Sequence, residues 1–470
     1  MGPEARRSGL LAREAPVLTT FTSEFAAGLP GLPWLQRRRS AAAEAFSSSP
    51  LPSEKDEVWR YSRIDQLDLD RFHPVGTASQ RTTDGPGPSP SDRIHSLVSS
   101  IGPRSGLVVT INGVLATVAS AAGDDLLSLG RITEREDGEA LLGSVVTDRR
   151  DFLLLNEAFA VDPLIIDIAP HATIEDPVVV VHVVSGAGGE AVFPRTVIRA
   201  GTSSRAGVIE IVVDIDAGLL VDLPSSSESS PPSATGSAPR GLEHLVVPVT
   251  ELEVADDATL SFVSVQSLGP DTWQLAHQGS TIGAGATLQS FAVALGGSYA
   301  RLRTDSALQG VSGTSLLRAA FIGRDDQMLD FRTLQDHLAP RTTSDLLFMG
   351  AVADHSHSVY SGLIRVRRGA IRSDAMQTNH NLVLDEGAHA DSVPNLDIEE
   401  NDVKCSHGST VGPVDEDQRY YLESRGIEPD VAERLIVAGF FEDIANQVPI
   451  AGTRSMIGRA LADRTGVHDV

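Results

Sequence analysis

The chain has 470 residues, of which 41% are hydrophobic and only 5% aromatic, and its formal net charge is −25 at pH 7. This length predicts several domains, or one elongated domain with appendages, around a core of aliphatic side chains. The negative charge sets aside nucleic acid and anionic membranes as primary partners. The single cysteine excludes an intrachain disulfide and any zinc site that needs two thiolates.

The N-terminal part of the chain is predicted to be mostly helical. Residues 1–16 have the composition of a disordered tail, and residues 17–73 are interpreted as a helical domain. Within this domain, residues 35–46 combine strong helix formers with an apolar stripe, and Pro50 and Pro52 end the stripe.

A linker is predicted at residues 74–92, which are rich in Pro, Gly, Ser and Thr. The first residues lack the apolar run of a signal peptide, and no stretch reaches the roughly 18 apolar residues of a membrane span. We therefore expect a cytoplasmic protein.

Residues 93–414 are predicted to form a β core. Short β-branched runs bounded by Gly, Asp, Asn or Pro recur there, among them LVVTING, PLIIDIA, PVVVVHVV, VIEIVVDI, HLVVPVTELEV, ATLSFVSVQ and LIRVRRGAI. The residues alone leave a propeller, tandem sandwiches and a β-solenoid open. Because no blade signature repeats at about 40 residues, a parallel β-helix fits better. Residues 224–239, rich in Ser and Pro, are predicted to be a disordered loop inserted in this core.

Residues 415–470 are predicted to be a C-terminal helical domain. A short helix over 419–425 should end at Gly426, and a longer helix with an apolar face should start at Pro429. The chain lacks a GxxxxGK[ST] loop, so we expect no ATP binding. It also lacks G-x-S-x-G and H-E-x-x-H motifs, which weakens a hydrolase or zincin interpretation.

Histidines are concentrated near the only cysteine. Six of the 13 lie in one part of the chain: His337, His355, His357, His380, His389 and His407. Imidazole and thiolate are good ligands for iron and for iron–sulfur clusters. If residues 402–407 are extended, Cys405 and His407 point to one face and Lys404 and Ser406 to the other. A nearby cation could then lower the pKa of the thiol.

Several segments resemble a known family. They are VWRYS, LLNEAFA, TSDLLFMGAVADHSHSVYSG, SGLIRVRRGAIRSDAMQTNHNLVL, PNLDIEENDVKCSHGSTVG and YYLESRGI, in that order along the chain. Together they resemble the SufB/SufD family of the SUF iron–sulfur cluster assembly system, and its SufD branch in particular, from about residue 55 to 445. The segment over residues 377–427 is the most specific.

The resemblance implies a fold and a set of partners. The fold is a right-handed parallel β-helix core flanked by N-terminal and C-terminal helical domains. The implied function is that of a non-enzymatic scaffold in a complex with SufB and two copies of the ATPase SufC. A SufS- or SufU-type sulfur donor would act through SufB. An iron–sulfur cluster would be held transiently and shared with SufB, and flavin stays open as a ligand of the complex.

The resemblance also implies roles for particular residues. His407 would act with a SufB cysteine at the heterodimer interface, and Cys405 is the neighbouring thiol, so both are candidate ligands of iron or a cluster. The C-terminal helical domain would dock SufC. The candidate docking residues there are Pro429, Leu435, Ile436, Phe440 and Phe441.

Three alternatives stay open. A SufB paralogue would bear the cluster itself, but it would carry a Glu-His-Glu-rich motif where this chain has Lys404-Cys405-Ser406-His407, and a cysteine further upstream. A β-helix polysaccharide lyase or esterase would normally be secreted. A cupin-like metal-dependent enzyme would use histidines in an H-x-H pattern, a spacing that His355 and His357 have.

Overall fold

The computed structural model describes residues 19–76, 90–186, 188–214 and 243–465. The tail predicted at 1–16 and the loop predicted at 224–239 lie outside these residues, as does most of the linker predicted at 74–92.

The N-terminal segment begins with regular helix and continues with short turns. Its elements are α1 (Ser23–Gly28), α2 (Pro33–Ser47), 3₁₀ turns at Glu57–Trp59, Ile64–Gln66 and Leu69–Arg71, and β1 (His73–Pro74). The Thr22 side chain caps α1 by accepting a hydrogen bond from the Phe25 N–H. Pro33 begins α2, at a position where a backbone N–H would have no hydrogen-bond partner within the helix. Regular helix ends at Ser47, just before Pro50.

A mixed region joins this segment to the core. It contains α3 (Pro90–Ile101), β2 (Gly106–Ile111), β3 (Val114–Ser120), β4 (Leu127–Arg131), a 3₁₀ turn at Ile132–Glu134, α4 (Gly138–Leu141) and α5 (Asp151–Phe159).

The core is a solenoid of strands that alternate between two sheets. The strands are β5 (Leu164–Ile168), β6 (Val178–Val184), β7 (Glu190–Val192), β8 (Arg195–Ala200), β9 (Arg205–Asp214), β10 (Leu245–Val246), β11 (Val249–Val254), β12 (Thr259–Ser267), β13 (Trp273–Ile282), β14 (Thr287–Ala294), β15 (Tyr299–Leu308), β16 (Thr314–Gly323), β17 (Met328–His337), β18 (Thr343–Val352), β19 (His357–Val366), β20 (Asp374–Val383), β21 (His389–Ile398) and β22 (Lys404–Gly412).

Pairing within each sheet is parallel and in register through the solenoid. Sheet A runs β4-β5-β8-β11-β13-β15-β17-β19-β21, and sheet B runs β3-β2-β6-β9-β12-β14-β16-β18-β20-β22. Only the pairs β2–β3 and β4–β5 are antiparallel among the described strands. The rungs lengthen toward the C-terminus, since Trp273 pairs with Tyr299 whereas His357 pairs with His389. The predicted β-helix with helical flanks is confirmed.

The corners between sheets rely on residues in the left-handed region. Asp257, Ser312, Asp325, Arg341 and Asp354 all have φ between 52° and 62° and each lies in a short connection between successive strands. A single left-handed residue reverses the chain tightly, and short polar side chains tolerate this conformation better than β-branched ones. The interruptions between apolar runs in the sequence are therefore these corners.

Helices cover the outer faces of both sheets. The N-terminal segment and α5 pack on sheet A, where Phe21, Trp59 and Phe159 join one cluster with Tyr299 and Val359. On sheet B, α3, α7 and α8 pack against alternate residues of the strands. The valines of β6 are buried on both faces of the strand because they belong alternately to two cores, one inside the solenoid and one under the helices.

A buried ion cluster lies at the boundary between sheet A and the N-terminal segment. Asp330 is fully buried and accepts hydrogen bonds from Arg301 at 2.7 Å, from Arg332 at 2.5 Å and from the Tyr299 hydroxyl at 2.7 Å. One carboxylate is thus the shared counterion of two guanidinium groups that are themselves withdrawn from water.

The two arginines also hold the N-terminal segment. Arg301 donates to the carbonyl of Val58 at 2.6 Å and Arg332 to the carbonyl of Arg60 at 2.7 Å. The Arg301 guanidinium lies 3.9 Å from the centroid of the Trp59 ring, a cation–π contact. The Asp330 cluster is therefore a structural link between the solenoid and the segment around Trp59.

A second buried carboxylate fixes the loop before α5. Glu251 is fully buried and accepts backbone hydrogen bonds from Gly143, Val145 and Val146 at 2.9–3.0 Å, with Arg195 as its counterion at 2.6 Å. Burial opposes ionisation, but Arg195 and the backbone donors outweigh it and hold the pKa of Glu251 below its ordinary value.

The C-terminal part of the described chain contains α6 (Glu416–Ser424), α7 (Pro429–Ala445) and α8 (Ala451–Thr465). Asp415 caps α6 by accepting from two backbone N–H groups, and Gly426 follows the helix with φ of 86°. Pro429 occupies the first turn of α7, where the sequence places it.

Candidate functional site

The solenoid ends at β21 and β22 with both strand edges uncovered. Among the described residues, β21 pairs only with β19 and β22 only with β20. We use the term open end for the inward-facing side chains of these two strands. They would be interior positions if another rung followed, but no further strand of the described chain covers them.

Cys405 and His407 both lie at the open end. Cys405 is in register with Ala375 and His407 with Gln377, and these two β20 residues are buried inside the solenoid. Alternation along β22 therefore points the thiol and the imidazole inward, and Lys404 outward. The side-by-side arrangement predicted for an extended strand is what β22 has.

The Cys405 thiol sits in an apolar setting. It is half-buried and packs, together with Val403, on a cluster that includes Ile364 and Val366. Burial and the negative charge of Asp374 raise the pKa of the thiol. This direction is opposite to the cation effect that the sequence suggests, so Cys405 alone is held as a protonated thiol near neutral pH.

A buried polar group lies one rung beneath His407. His407 itself is exposed, whereas the Gln377 side chain is fully buried. Both amide atoms of Gln377 lack a hydrogen-bond partner within the described chain. A buried unpaired amide is uncommon in folded proteins and requires a physical reason. Here it adds an available donor and acceptor beneath the open end.

Apolar side chains complete the open end. Leu396 and Ile398 on β21 and Val411 on β22 are in register with interior positions, yet they are 38%, 42% and 45% exposed. Uncovered strand edges next to exposed apolar side chains are a surface that proteins normally bury against another chain.

The clustered histidines do not form one site. His337 is buried, hydrogen-bonded to Thr342 and Ser344, and burial lowers its pKa to about 4. His380 contacts Thr410 on the outer face of sheet B. His355 lies in the turn before β19, outside the strand.

The remaining two histidines share a carboxylate on the outer face of sheet A. His357 and His389 both contact Asp391, and the three residues bring ligand atoms to within 4.8 Å of one another. This group was not found in the sequence analysis, because the H-x-H pattern pairs His357 with His355. In the structure the ladder between β19 and β21 pairs His357 with His389 instead.

The predicted docking residues of α7 differ in their accessibility. Pro429 is exposed, and Leu435 and Ile436 are half-buried. Phe441 is only 3% exposed and belongs to the core under the helices, with Phe440 packed against it. Their role in docking stays a prediction. Pro429 and Leu435 are the members that a partner would reach most easily.

Two exposed tyrosines on α6 were missed by the sequence analysis. Tyr420 is 73% and Tyr421 56% exposed, and the guanidinium of Arg425 lies 5.0 Å from the Tyr421 ring. Tyr and Arg are the residue types that most often anchor protein interfaces. The signal available in the sequence was the pair of adjacent tyrosines in a short helix.

Comparison with known proteins identifies the family. The model of the SUF system FeS cluster assembly SufBD core domain matches residues 182–440, more than half of the chain. The chain belongs to the SufBD family. An iron–sulfur cluster assembly SufBD family protein of Mycobacterium bovis is 35% identical over 219 residues, which span 45% of this chain and 55% of that protein. The match thus covers little more than half of the length of this relative.

Two further relatives carry the name SufD. The iron–sulfur cluster assembly protein SufD of Escherichia coli is 25% identical over 88% of this chain and 89% of its own length. The Bacillus subtilis protein of the same name is 30% identical over 44% of this chain and 48% of its own length. This SufBD-family chain contains, among its described residues, no helix long and apolar enough to cross a membrane.

Proposed function

We propose that this SufBD-family chain is a non-enzymatic scaffold subunit that pairs with SufB through the open end and docks the SufC ATPase through its C-terminal helices. The observation that carries the proposal is the uncovered interior of the solenoid at β21 and β22, with the half-buried Cys405 and the exposed His407 at its inward positions.

Pairing with SufB rests on the chemistry of the strand ends. The edge backbones of β21 and β22 are available for ladder hydrogen bonds with a second sheet. The apolar side chains of Leu396, Ile398 and Val411 would be buried by the same contact. A second β-helix end is a matching partner because it presents the same strand spacing and its own inward side chains.

The iron–sulfur cluster is cargo that the two proteins would hold together. Cys405 and His407 supply one thiol and one imidazole, fewer ligands than a cluster usually needs, so the others would come from SufB. The raised pKa of Cys405 means that its proton must leave when iron binds. His407 is exposed and free of the apolar packing around the thiol, which makes it the more accessible ligand.

Docking of SufC rests on α6 and on the start of α7. Tyr420 and Tyr421 present large aromatic surfaces to solvent, and on the next helix Pro429 is exposed and Leu435 half-buried. The rest of the apolar face of α7 packs on the solenoid. A partner bound to these helices would therefore be attached to the core of the protein.

The pairing is tested by co-expression with tagged SufB and with SufC. Val411→Arg places a charge at the open end and should abolish capture by SufB. The control is Val118→Arg on β3, at the other end of sheet B, where the valine is 42% exposed compared with 45% for Val411. Equal capture of both variants would refute pairing through the open end.

The cargo role is tested in the assembled complex. His407→Ala should leave capture of SufB and SufC intact but lower the iron and sulfide content of the purified complex. Ser409→Ala, the next inward position of β22, is the matched control and should retain the wild-type content. A normal cluster content in His407→Ala would remove His407 from the site.

The docking surface is tested with Tyr420→Ala, which should weaken capture of SufC without affecting SufB. Tyr61→Ala serves as the control, because Tyr61 is a 43% exposed tyrosine in the N-terminal segment. If deletion of residues 415–470 also leaves SufC bound, the helices are not the docking surface.

A further inference from the structure

A column of side chains on the outer face of sheet A changes character toward the open end. The first residues of successive strands stack in register: Trp273, Tyr299, Met328, His357 and His389. The first three pack in the cluster formed with the N-terminal segment. The two histidines lie beyond it, with side chains 25% and 66% exposed.

We infer that His357, His389 and Asp391 form a binding site for a divalent transition-metal ion. This site is separate from the open end and does not depend on the proposed function, because Cys405 and His407 face inward on sheet B whereas these three residues face outward on sheet A.

The geometry already brings three ligand atoms together. Nε2 of His357 lies 2.8 Å from Oδ2 of Asp391, and Nε2 of His389 lies 3.3 Å from Oδ1 of the same carboxylate. The ring centroids of the histidines are 5.0 Å apart. Ligands bound at about 2.0 Å in a tetrahedral site are separated by about 3.3 Å, so small rotations of the side chains would accommodate an ion.

The ligand types define the class of ion. Two imidazoles and one carboxylate suit zinc, iron(II), cobalt and nickel, whereas calcium and magnesium prefer sites made of oxygen ligands. Residues i and i+2 of β21 supply His389 and Asp391 on one face, and the parallel ladder adds His357 from β19. A rigid sheet therefore holds the three ligands, and the solvent side leaves coordination positions for water or another ligand.

Metal binding to the purified chain, first treated with chelator, tests the inference. Titration with cobalt(II) should produce a d–d absorption band that saturates at one ion per chain, and zinc should displace it. His389→Ala should reduce cobalt affinity by more than about 10-fold, because even an outer partner of a metal ligand contributes about 10–100-fold. His389 is on the surface, so this variant should fold normally, which circular dichroism checks.

Two control variants identify the site. His355→Ala removes an exposed histidine from the adjacent turn and should leave the titration unchanged. Cys405→Ser combined with His407→Ala removes the thiol and imidazole of the open end and should also retain the band. The inference is overturned if wild-type protein binds no cobalt, if His389→Ala and Asp391→Asn bind as tightly as wild type, or if binding is lost only in the open-end variant.

Discussion

The substitution Asp330→Asn should uncouple the N-terminal segment from the solenoid. Asp330 is the shared counterion of Arg301 and Arg332, which in turn hold the backbone carbonyls of Val58 and Arg60. Removing one partner of a buried ion pair leaves an uncompensated charge and typically costs about 3–5 kcal/mol of unfolding free energy. Because two guanidinium groups lose their counterion here, we expect a loss at the upper end of that range.

Urea denaturation followed by tryptophan fluorescence measures this loss, since the Trp59 ring lies against Arg301. The matched control is Asp397→Asn, which breaks the Arg365–Asp397 pair at 2.9 Å between β19 and β21, where the side chains are 30% and 47% exposed. Exposed pairs contribute about 0–1 kcal/mol. A loss for Asp330→Asn no larger than that of the control would refute the structural role of the cluster.

The same cluster predicts a pH dependence. Burial opposes ionisation of Asp330, but the charges of Arg301 and Arg332 outweigh burial and lower the pKa of the carboxyl below its ordinary value. A lowered folded-state pKa gives stability that is present above the ordinary aspartate pKa and is lost as pH falls toward the folded-state value. Asp330→Asn should reduce this loss of stability at acid pH. An unchanged loss would contradict the assignment of Asp330 as its source.

Three further effects follow from single positions. His337 is buried, and its pKa is lowered from 6.5 to about 4. Between these two pH values the unfolded state binds more protons than the folded state, so the free energy of unfolding should fall as the pH drops through this range. His337→Gln should reduce this fall, as measured by urea titrations at several pH values. Glu251→Gln should lower the urea midpoint markedly, and a midpoint equal to wild type would be contrary to its role. Gly310→Ala should lower the melting temperature of the protein, because its Cβ would lie 1.9 Å from the backbone nitrogen of Ala284. The control Gly458→Ala places its Cβ in open space and should raise the melting temperature slightly, because alanine favours helix more than glycine does.

The fold was predictable where the strands are apolar. The strands β2, β5, β6, β9 and β12 are rich in aliphatic and β-branched residues because most positions on both of their faces are buried. Later rungs were less evident because their interior is partly polar: Gln278, Thr304, Thr333 and Gln335 are all buried. A strand with polar inward positions loses the alternation that identifies it, so there the family resemblance supplied the prediction.

The site was predictable only along one strand. Cys405 and His407 could be paired from their spacing, since residues i and i+2 share a face of any strand. Asp391 could not be joined to His357, because their meeting depends on which rung lies beside which, and rung lengths vary along the solenoid. The pKa of Cys405 depends on its apolar contacts and on Asp374 across the ladder, neither of which the neighbouring Lys404 indicates.

The C-terminal helices are attached to the same sheet that carries Cys405 and His407. Arg318 on β16 donates to Gln447 at 2.7 Å, and Arg324 just after β16 donates to the carbonyl of Arg464 at 2.6 Å. From β16 the ladder runs unbroken through β18 and β20 to β22. Parallel strands in fixed register resist sliding, since a shift by one residue would turn every interior side chain outward. A force applied to the helices would therefore be transmitted along this ladder to Cys405 and His407, with little sliding of the strands between.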